Sequence, residues 1–137
     1  MRDVTATAPR QPAAGDVVEL SFPHDTKHVA TARAVAASLG AEAGLDVDEI
    51  DDLRLAVDEA LSVVIDRPAA DQARLVVRFT ATADSVTARV GCEPAAESFG
   101  RDDLDDLAVR ILGAVTDSFE AVDGTITVTK RSSRDGT

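Results

Sequence analysis

Residues 45–66 read LDVDEIDDLRLAVDEALSVVID and form the longest stretch of the chain with one clear period. Apolar residues recur there every three to four positions, which is the spacing of one face of an α-helix. The stripe consists of Ile50, Leu53, Val57, Ala60, Leu61 and Val64. Asp46 followed three residues later by Glu49 is typical of a capping box, with aspartate in the place of Ser or Thr, and Pro68 closes the segment. We therefore predict a long amphipathic helix, which carries Glu59 near its centre.

Alternating and helical patterns on both sides of this helix define the other elements. In chain order we predict a strand over 17–22, a helix with Asp25 or Thr26 as its N-cap that ends at about Leu39 before Gly40, the central helix, strands over 74–81 and 85–90, a helix over 102–118, and a hairpin over 119–130 that turns at Asp123-Gly124. The last helix would bury Leu104, Leu107, Ala108, Ile111, Leu112 and Val115. A mostly antiparallel sheet with three helices on one face buries every helical stripe at once. The predicted fold class is an α+β two-layer sandwich.

The length of 137 residues is typical of one domain. We expect a flexible N-terminal tail over residues 1–15, a folded domain over 16–131 and a C-terminal tail over 132–137. No apolar run approaches the roughly 20 residues of a membrane span, and the first residues lack the apolar core of a signal peptide. A cytoplasmic protein without a membrane partner is therefore expected.

The net charge of −11 argues against a nucleic-acid partner, because such binding depends on Lys and Arg. The same charge would suit a basic protein partner, and the alternative is that it serves only solubility. His24 and His28 have a spacing that can bind metal, but no third ligand is evident, so we expect no metal site. The single cysteine, Cys92, excludes an intramolecular disulfide.

The central helix contains the run LRLAVDEALSVVI at 53–65, which resembles the core helix of the bacterial anti-sigma factor/serine-kinase family. These proteins are small members of the histidine kinase-like (Bergerat-fold) ATPases, which also include DNA gyrase. The resemblance extends from about residue 17 to 131 and includes Arg33 on the first predicted helix and the closing ITVTKR. It implies the histidine-kinase-like ATPase fold and a homodimer.

The resemblance also implies an ATP site made of three sequence elements, the first of which is a Glu-x-x-x-Asn motif on the central helix. In the family the glutamate is the general base and the asparagine helps to hold Mg²⁺, and four-residue spacing places both on one helical face. Glu59 matches the glutamate, whereas Val63 stands at the asparagine position and offers no oxygen. Ser62 and Asp66 leave a rearranged ligand set open. Glu59 would otherwise be a vestigial base.

The other two elements are also degenerate. An Asp-x-Gly-x-Gly motif, whose aspartate reads adenine in the family, corresponds here to the run CEPAA, so Cys92 replaces the aspartate and Pro94 the first glycine. In the glycine-rich start of the last helix, where backbone N–H groups meet phosphates, the glycine positions fall on Asp106 and Ala108. We therefore expect neither ATP nor Mg²⁺ as a cofactor, unless the protein is an active kinase.

The function implied by the resemblance is sequestration of an alternative sigma factor by protein–protein binding. An anti-anti-sigma protein would compete for the same surface, which in the family lies on the first helix around an arginine. Arg33 matches that arginine, and Val29 and Ala30 lie one turn earlier. We expect these three residues to bind the partner.

Three interpretations follow from these observations. The first is a non-catalytic anti-sigma factor, which is the one we favour. The second is an active, ATP-dependent serine kinase that phosphorylates an anti-anti-sigma protein. The third is a degenerate partner-binding domain that regulates some other protein. Phosphate transfer would separate the second from the others.

Overall fold

A computed structural model describes residues 15–95 and 97–134 of the chain. The predicted N-terminal tail therefore lies outside the described residues except for Gly15, and so do residues 135–137 of the predicted C-terminal tail. The elements are β1 (Asp16–Pro23), α1 (Val29–Glu42), α2 (Val47–Ile65), β2 (Arg74–Ala81), β3 (Ser85–Glu93), a 3₁₀ turn (Arg101–Asp103), α3 (Asp106–Val115), β4 (Ser118–Val122) and β5 (Thr125–Arg131). Among the described residues, no helix is long and apolar enough to cross a membrane.

The five strands form one antiparallel sheet in the order β1-β2-β3-β5-β4. β4 and β5 are joined by Asp123 and Gly124, whose φ angles of 52° and 79° are typical of a two-residue hairpin turn. The first strand lies at the edge of the sheet beside β2, and α1 and α2 are both inserted between these two strands in the chain. The sequence had predicted all of these strands.

One face of the sheet packs against the helices and forms the core. The inward residues alternate along β2, β3 and β5, as expected for strands with one buried face. Those that are fully buried are Leu75, Val77, Phe79, Val86, Ala88, Val90, Ile126 and Val128. Against them lie Leu53, Ala56, Val57, Ala60, Leu61 and Val64 of α2. The α+β two-layer sandwich predicted from the sequence is confirmed.

The central helix begins with the predicted capping box. Asp46 Oδ1 accepts from the Glu49 backbone N–H at 2.8 Å, and Glu49 Oε1 accepts from the Asp46 N–H at 2.8 Å. The second carboxylate oxygen of Glu49 accepts from the Ser133 N–H at 2.8 Å. The chain after β5 therefore returns to the N-terminus of α2 and is bonded to it.

The predicted N-cap of α1, Asp25 or Thr26, was wrong by two or three residues. Asp25 does not cap the helix, because its Oδ1 accepts from the Lys27 N–H at 2.8 Å and closes a local turn. His28 occupies the N-cap position without a side-chain hydrogen bond, and the helix begins at Val29.

Gly40 was predicted as the stop of α1 but lies inside it. A Cβ atom at this position would approach Ile50 Cγ1 and Leu45 Cδ1 at 3.2 Å, which is tighter than most real contacts. Glycine is present there because α1 and the chain entering α2 pack closely, and the helix continues to Glu42.

The third helix is shorter than predicted. Residues 101–103 form a 3₁₀ turn, Leu104 has an extended backbone and is buried, and α3 begins at Asp106. Thr116 is extended and ends the helix at Val115, before the start of β4. Leu107 was expected to be buried but is 63% exposed.

Candidate functional site

A cavity of about 360 Å³ lies between the C-terminal half of α2 and the start of α3. Glu59, Val63 and Ala108, which are three of the positions expected in a nucleotide site, line it together. The other lining residues are Ser62, Asp66, Arg67, Pro68, Asp103, Leu104 and Asp105. Cys92, Pro94 and Asp106 are not among the lining residues.

The cavity is acidic, and its negative charges affect the pKa of Glu59. Its lining includes the carboxylates of Glu59, Asp66, Asp103 and Asp105 and a single guanidinium. Burial raises the pKa of Glu59, and the negative charges of Asp105, Asp58 and Asp66 raise it further. A raised pKa suits a general base, but repulsion from like charges disfavours an anionic ligand in the same space.

The position that would hold Mg²⁺ is apolar. Val63 is partly buried and packs against the core, while its neighbour Ser62 is exposed. Within residues 15–95 and 97–134, no group of three His, Cys, Asp or Glu side chains is arranged to hold a metal ion. In the described part of the chain, no third carboxylate or histidine is therefore arranged with Ser62 and Asp66 to complete a metal site.

The first turn of α3 is closed by its own side chain. Asp105 is the N-cap residue, and its Oδ1 accepts from the Ala108 backbone N–H at 2.7 Å. Free N–H groups at a helix N-terminus are what attract phosphate groups. Here one of those donors is already bonded to a carboxylate, and Asp106 adds a second negative charge in the same turn.

The segment between β3 and α3, whose residues 103–105 line the cavity, is held by three contacts. Arg67, just beyond α2, donates from Nη2 to the Asp103 carbonyl oxygen at 2.8 Å. Its guanidinium also lies 4.7 Å from the ring centre of Phe99, which is 3% exposed. The Phe99 carbonyl oxygen accepts from the Gly124 N–H at 2.9 Å. We call Arg67, Phe99 and Asp103 the clasp.

Cys92 and Pro94 lie at the end of β3 and just after it. Cys92 pairs with Leu75 of β2 and packs partly against the core. Burial raises the pKa of the Cys92 thiol, and the neighbouring Glu93 raises it further. Cys92 therefore presents a neutral thiol where the family motif has a carboxylate, and Pro94 is exposed.

On α1, Arg33 faces a groove of about 230 Å³ between α1 and α2. The α2 side of the groove is formed by Asp51, Arg54, Leu55 and Asp58. Among the buried side-chain nitrogen and oxygen atoms of the described residues, Arg33 Nε has no hydrogen-bond partner. Arg54 and Asp51 form an exposed ion pair at 3.4 Å.

The two other predicted partner-binding residues differ in exposure. Ala30 is exposed in the first turn of α1, whereas Val29 is only partly exposed and packs against the core. Of the two, Ala30 offers more surface to a partner.

His24 and His28 do not act together. His24 Nε2 is 3.0 Å from the Val64 carbonyl oxygen near the end of α2, and the His28 ring packs edge-on against Phe22 at 6.0 Å between centres. Both histidines have structural contacts of their own.

Sequence reasoning missed Arg67, Phe99, Asp105 and Leu55. Asp105 could have been found, since an aspartate three residues before an apolar helical position is a common N-cap. Leu55 could also have been found, because it is an apolar residue outside the core stripe of α2. The contact between Arg67 and Phe99 could not have been found in this way, because the two residues are far apart in the sequence and meet only in the folded chain.

Together, the antiparallel sheet, the long α2 and the cavity beside it define a histidine kinase-like ATPase fold. A comparison with protein-family models matches residues 22–124 to the histidine kinase-like ATPase domain. This match covers most of the chain, and the protein belongs to that family.

A solved structure is similar in fold. It contains the RsbU and RsbW domains of Rv1364c from Mycobacterium tuberculosis, with a TM-score of 0.60 and 17% sequence identity. The match covers 85% of this chain and 32% of that one, so this chain spans about a third of its length. A search of curated proteins found no match.

ATP and Mg²⁺ are the ligands that this family implies, and the residues of the cavity do not fit them. Val63 supplies no metal ligand, Asp105 occupies a donor of the α3 N-terminus, and the other carboxylates repel phosphate. At an effective dielectric near 20, two unit charges of like sign about 5 Å apart repel by roughly 3 kcal/mol.

Proposed function

We propose that this protein is an anti-sigma factor, which sequesters an alternative sigma factor by protein–protein binding and neither binds ATP nor transfers phosphate. The resemblance of the central helix to the anti-sigma factor/serine-kinase family supplies the class of partner. Membership of the histidine kinase-like ATPase family supports the fold on which this proposed function depends. The absence of a nucleotide cofactor and the homodimer are parts of the same proposal.

The observation that carries the proposal is the set of residues that line the cavity beside Glu59. Three features of this cavity oppose the nucleotide: an apolar Val63, an α3 N-terminus capped by Asp105, and the carboxylates of Asp66 and Asp103. Micromolar binding of ATP is worth about 8 kcal/mol. Losing a metal ligand, the carboxylate that reads adenine and a phosphate hydrogen bond, at about 1–3 kcal/mol each, would remove much of it.

Arg33 supports the partner-binding half of the proposal. The Arg33 side chain is partly exposed in the groove between α1 and α2, so a bound protein can contact it there. Arginines beside small or apolar residues are common hot spots at interfaces, and Ala30 is exposed one turn away.

The test of the partner-binding half is capture of a sigma factor. Each alternative sigma factor from the same genome is purified and titrated with the protein, and one of them is expected to bind. Arg33→Glu should then weaken binding at least 100-fold, because it replaces the donor with a charge of opposite sign. Arg89→Glu, on the exposed face of β3, makes the same change of charge away from α1 and should have little effect. Equal binding by wild type and Arg33→Glu would contradict the assignment.

The second candidate function is the active serine kinase. It is favoured by one observation, which is that Glu59 and Ser62 line one cavity and that the pKa of Glu59 is raised, as a general base requires. Transfer of labelled phosphate from ATP to an anti-anti-sigma protein would establish it. We expect no transfer, and Glu59→Gln should leave sigma binding intact.

A further inference from the structure

The segment that follows β5 is hydrogen-bonded to the helical layer. Residues 132–134 lie in no helix or strand. The Ser132 hydroxyl donates to the Gly44 carbonyl oxygen at 3.1 Å, and the Ser133 N–H donates to Glu49 Oε2 at 2.8 Å. We call residues 132–134 the strap, because they tie the end of β5 to the connection between α1 and α2 and to the first turn of α2.

Ser133 contacts Glu49 only as a hydrogen-bond donor. Hydrogen bonding from both the side chain and the backbone of Ser133 lowers the pKa of Glu49, so the hydroxyl lies beside this carboxylate. The Ser133 residue is nevertheless exposed, and its hydroxyl can be reached by another protein. A reaction that turned this donor into an anion would oppose the contact that holds the strap.

The surroundings of Glu49 make such an anion unfavourable. Five of the seven residues over 46–52 are Asp or Glu. Among them, Asp52 has a counter-charge in Lys130, whose Nζ lies 3.2 Å from Asp52 Oδ2. A phosphoryl group carries about 1.5 to 2 negative charges at neutral pH, and beside carboxylates it disrupts local contacts through repulsion.

The sequence around the strap differs from the rest of this acidic chain. Residues 125–134 contain Lys130, Arg131 and Arg134 and no acidic residue, whereas the whole chain has a net charge of −11. Arg131 and Arg134 are both exposed, one on each side of the serine pair. Protein kinases select substrates partly by such charge patterns, so a kinase with an acidic substrate groove would favour this segment.

We propose that Ser133 is a phosphorylation site and that its phosphorylation releases the strap from α2. The Ser133 hydroxyl oxygen attacks the γ-phosphorus of ATP bound to a separate protein kinase, the hydroxyl proton passes to a base of that kinase, and ADP leaves. The new phosphoryl group then faces the Glu49 carboxylate in place of a donor. Release loosens the connection between α1 and α2, so the modification acts on the end of the helix that carries Arg33. This proposal does not depend on the identity of the partner.

The first test locates the phosphate. The full chain is incubated with ATP, Mg²⁺ and the catalytic domains of serine kinases that prefer arginine near the substrate serine. Mass spectrometry should find one phosphate, on Ser133, and none on the Ser133→Ala variant. Phosphate on another residue, or no phosphate with any of these kinases, would overturn the site.

The second test measures release of the strap by hydrogen exchange. The Ser133 amide should exchange at least tenfold faster in the phosphorylated protein and in Ser133→Glu, because both lose the bond to Glu49. Ser133→Gln has the size of glutamate without its charge, and Ser118→Glu adds the same charge at the exposed start of β4. Exchange in both controls should stay within about threefold of wild type. Unchanged exchange after phosphorylation would show that the strap is not released.

A double variant tests whether repulsion by Glu49 is the cause. In the Glu49→Gln background, Ser133→Glu should accelerate exchange of the strap less than threefold, because the opposing carboxylate is gone. An equal acceleration in the wild-type and Glu49→Gln backgrounds would contradict the proposed mechanism of release.

Discussion

Glu59 is the residue at which the catalytic and non-catalytic interpretations diverge. Its position on α2 matches a general base, and burial raises its pKa in the direction that a base requires. The charges that add to this effect come from Asp105, Asp58 and Asp66, none of which would help to bind ATP. Burial and these three carboxylates therefore make ionisation of Glu59 less favourable.

Replacement of this carboxylate should stabilise the protein slightly. Because the pKa of Glu59 in the folded state lies above its ordinary value of 4.5, folding is favoured when the group is protonated, and that advantage is lost as the pH rises through the folded pKa. Glu59→Gln should therefore increase the free energy of unfolding at pH 7 by about 0.5 kcal/mol. Thermal melts at pH 4 and pH 7 check this, and the difference should shrink at pH 4. If Glu59→Gln were less stable than wild type at pH 7, this would contradict the repulsion between Glu59 and the neighbouring carboxylates.

How far the sequence could predict the site depends on the range of the contacts. Glu59 and Val63 share a helical face, so their common cavity followed from spacing alone. Ala108 was placed beside them by the family motif. Arg67 and Phe99 are 32 positions apart and meet only in the folded chain, so no local pattern could have joined them.

At the scale of the element, α2 carries two glutamates whose effects on stability have opposite pH dependence. Backbone hydrogen bonding at Asp46 lowers the pKa of Glu49, and the bonds from Ser133 lower it further. Its stabilising effect is therefore complete above the ordinary value of 4.5 and is lost as the pH falls through the lower folded pKa.

Glu49→Gln should weaken this end of the helix. The substitution removes the charge from the capping box and from the bond to Ser133, and we expect a loss of about 1 kcal/mol at pH 7. Unfolding in denaturant at several pH values measures it. The wild type should lose stability in acid more steeply than the variant. Parallel pH profiles for the two proteins would contradict the assigned role of Glu49.

The clasp is the second element with a measurable consequence. Arg67→Ala removes the bond to the Asp103 carbonyl oxygen and the contact with Phe99, so amides of residues 99–105 should exchange hydrogen at least tenfold faster. The expected cost in stability is about 1 kcal/mol. Arg54→Ala is the matched control, because Arg54 forms an exposed ion pair with Asp51 within its own helix. Unchanged exchange in the loop of Arg67→Ala would show that other contacts hold it.

The ends of the helices were the least predictable part of the fold. The strands and the capping box followed from alternation and from one short motif. The stop of α1 did not, because Gly40 is used for close packing against Ile50 rather than for a turn. The start of α3 was also missed, since Leu104 is apolar and buried but lies before the helix in an extended conformation.

At the scale of the whole molecule, negative charge is concentrated on the helical side. Residues 45–66 contain eight carboxylates and one arginine, whereas the five strands contain five basic and four acidic residues. A basic partner would therefore meet its strongest attraction at α2, next to the groove that contains Arg33.

This distribution predicts a salt-dependent association. The rate constant for association with the sigma factor should fall at least fivefold between about 0.05 and 0.5 M NaCl, because screening shortens the range of the field. The dissociation rate should change less. Stopped-flow mixing measures both, and an association rate independent of salt would count against electrostatic attraction of the partner.

The most direct test of the central claim is calorimetric titration of the wild-type protein with ATP in the presence of Mg²⁺. The claim is that the fold of an ATPase is retained while its nucleotide site is lost. We predict no saturable heat with ATP at millimolar concentration. A saturable heat signal that depends on Mg²⁺ would contradict the claim and return Glu59 to the role of a catalytic base.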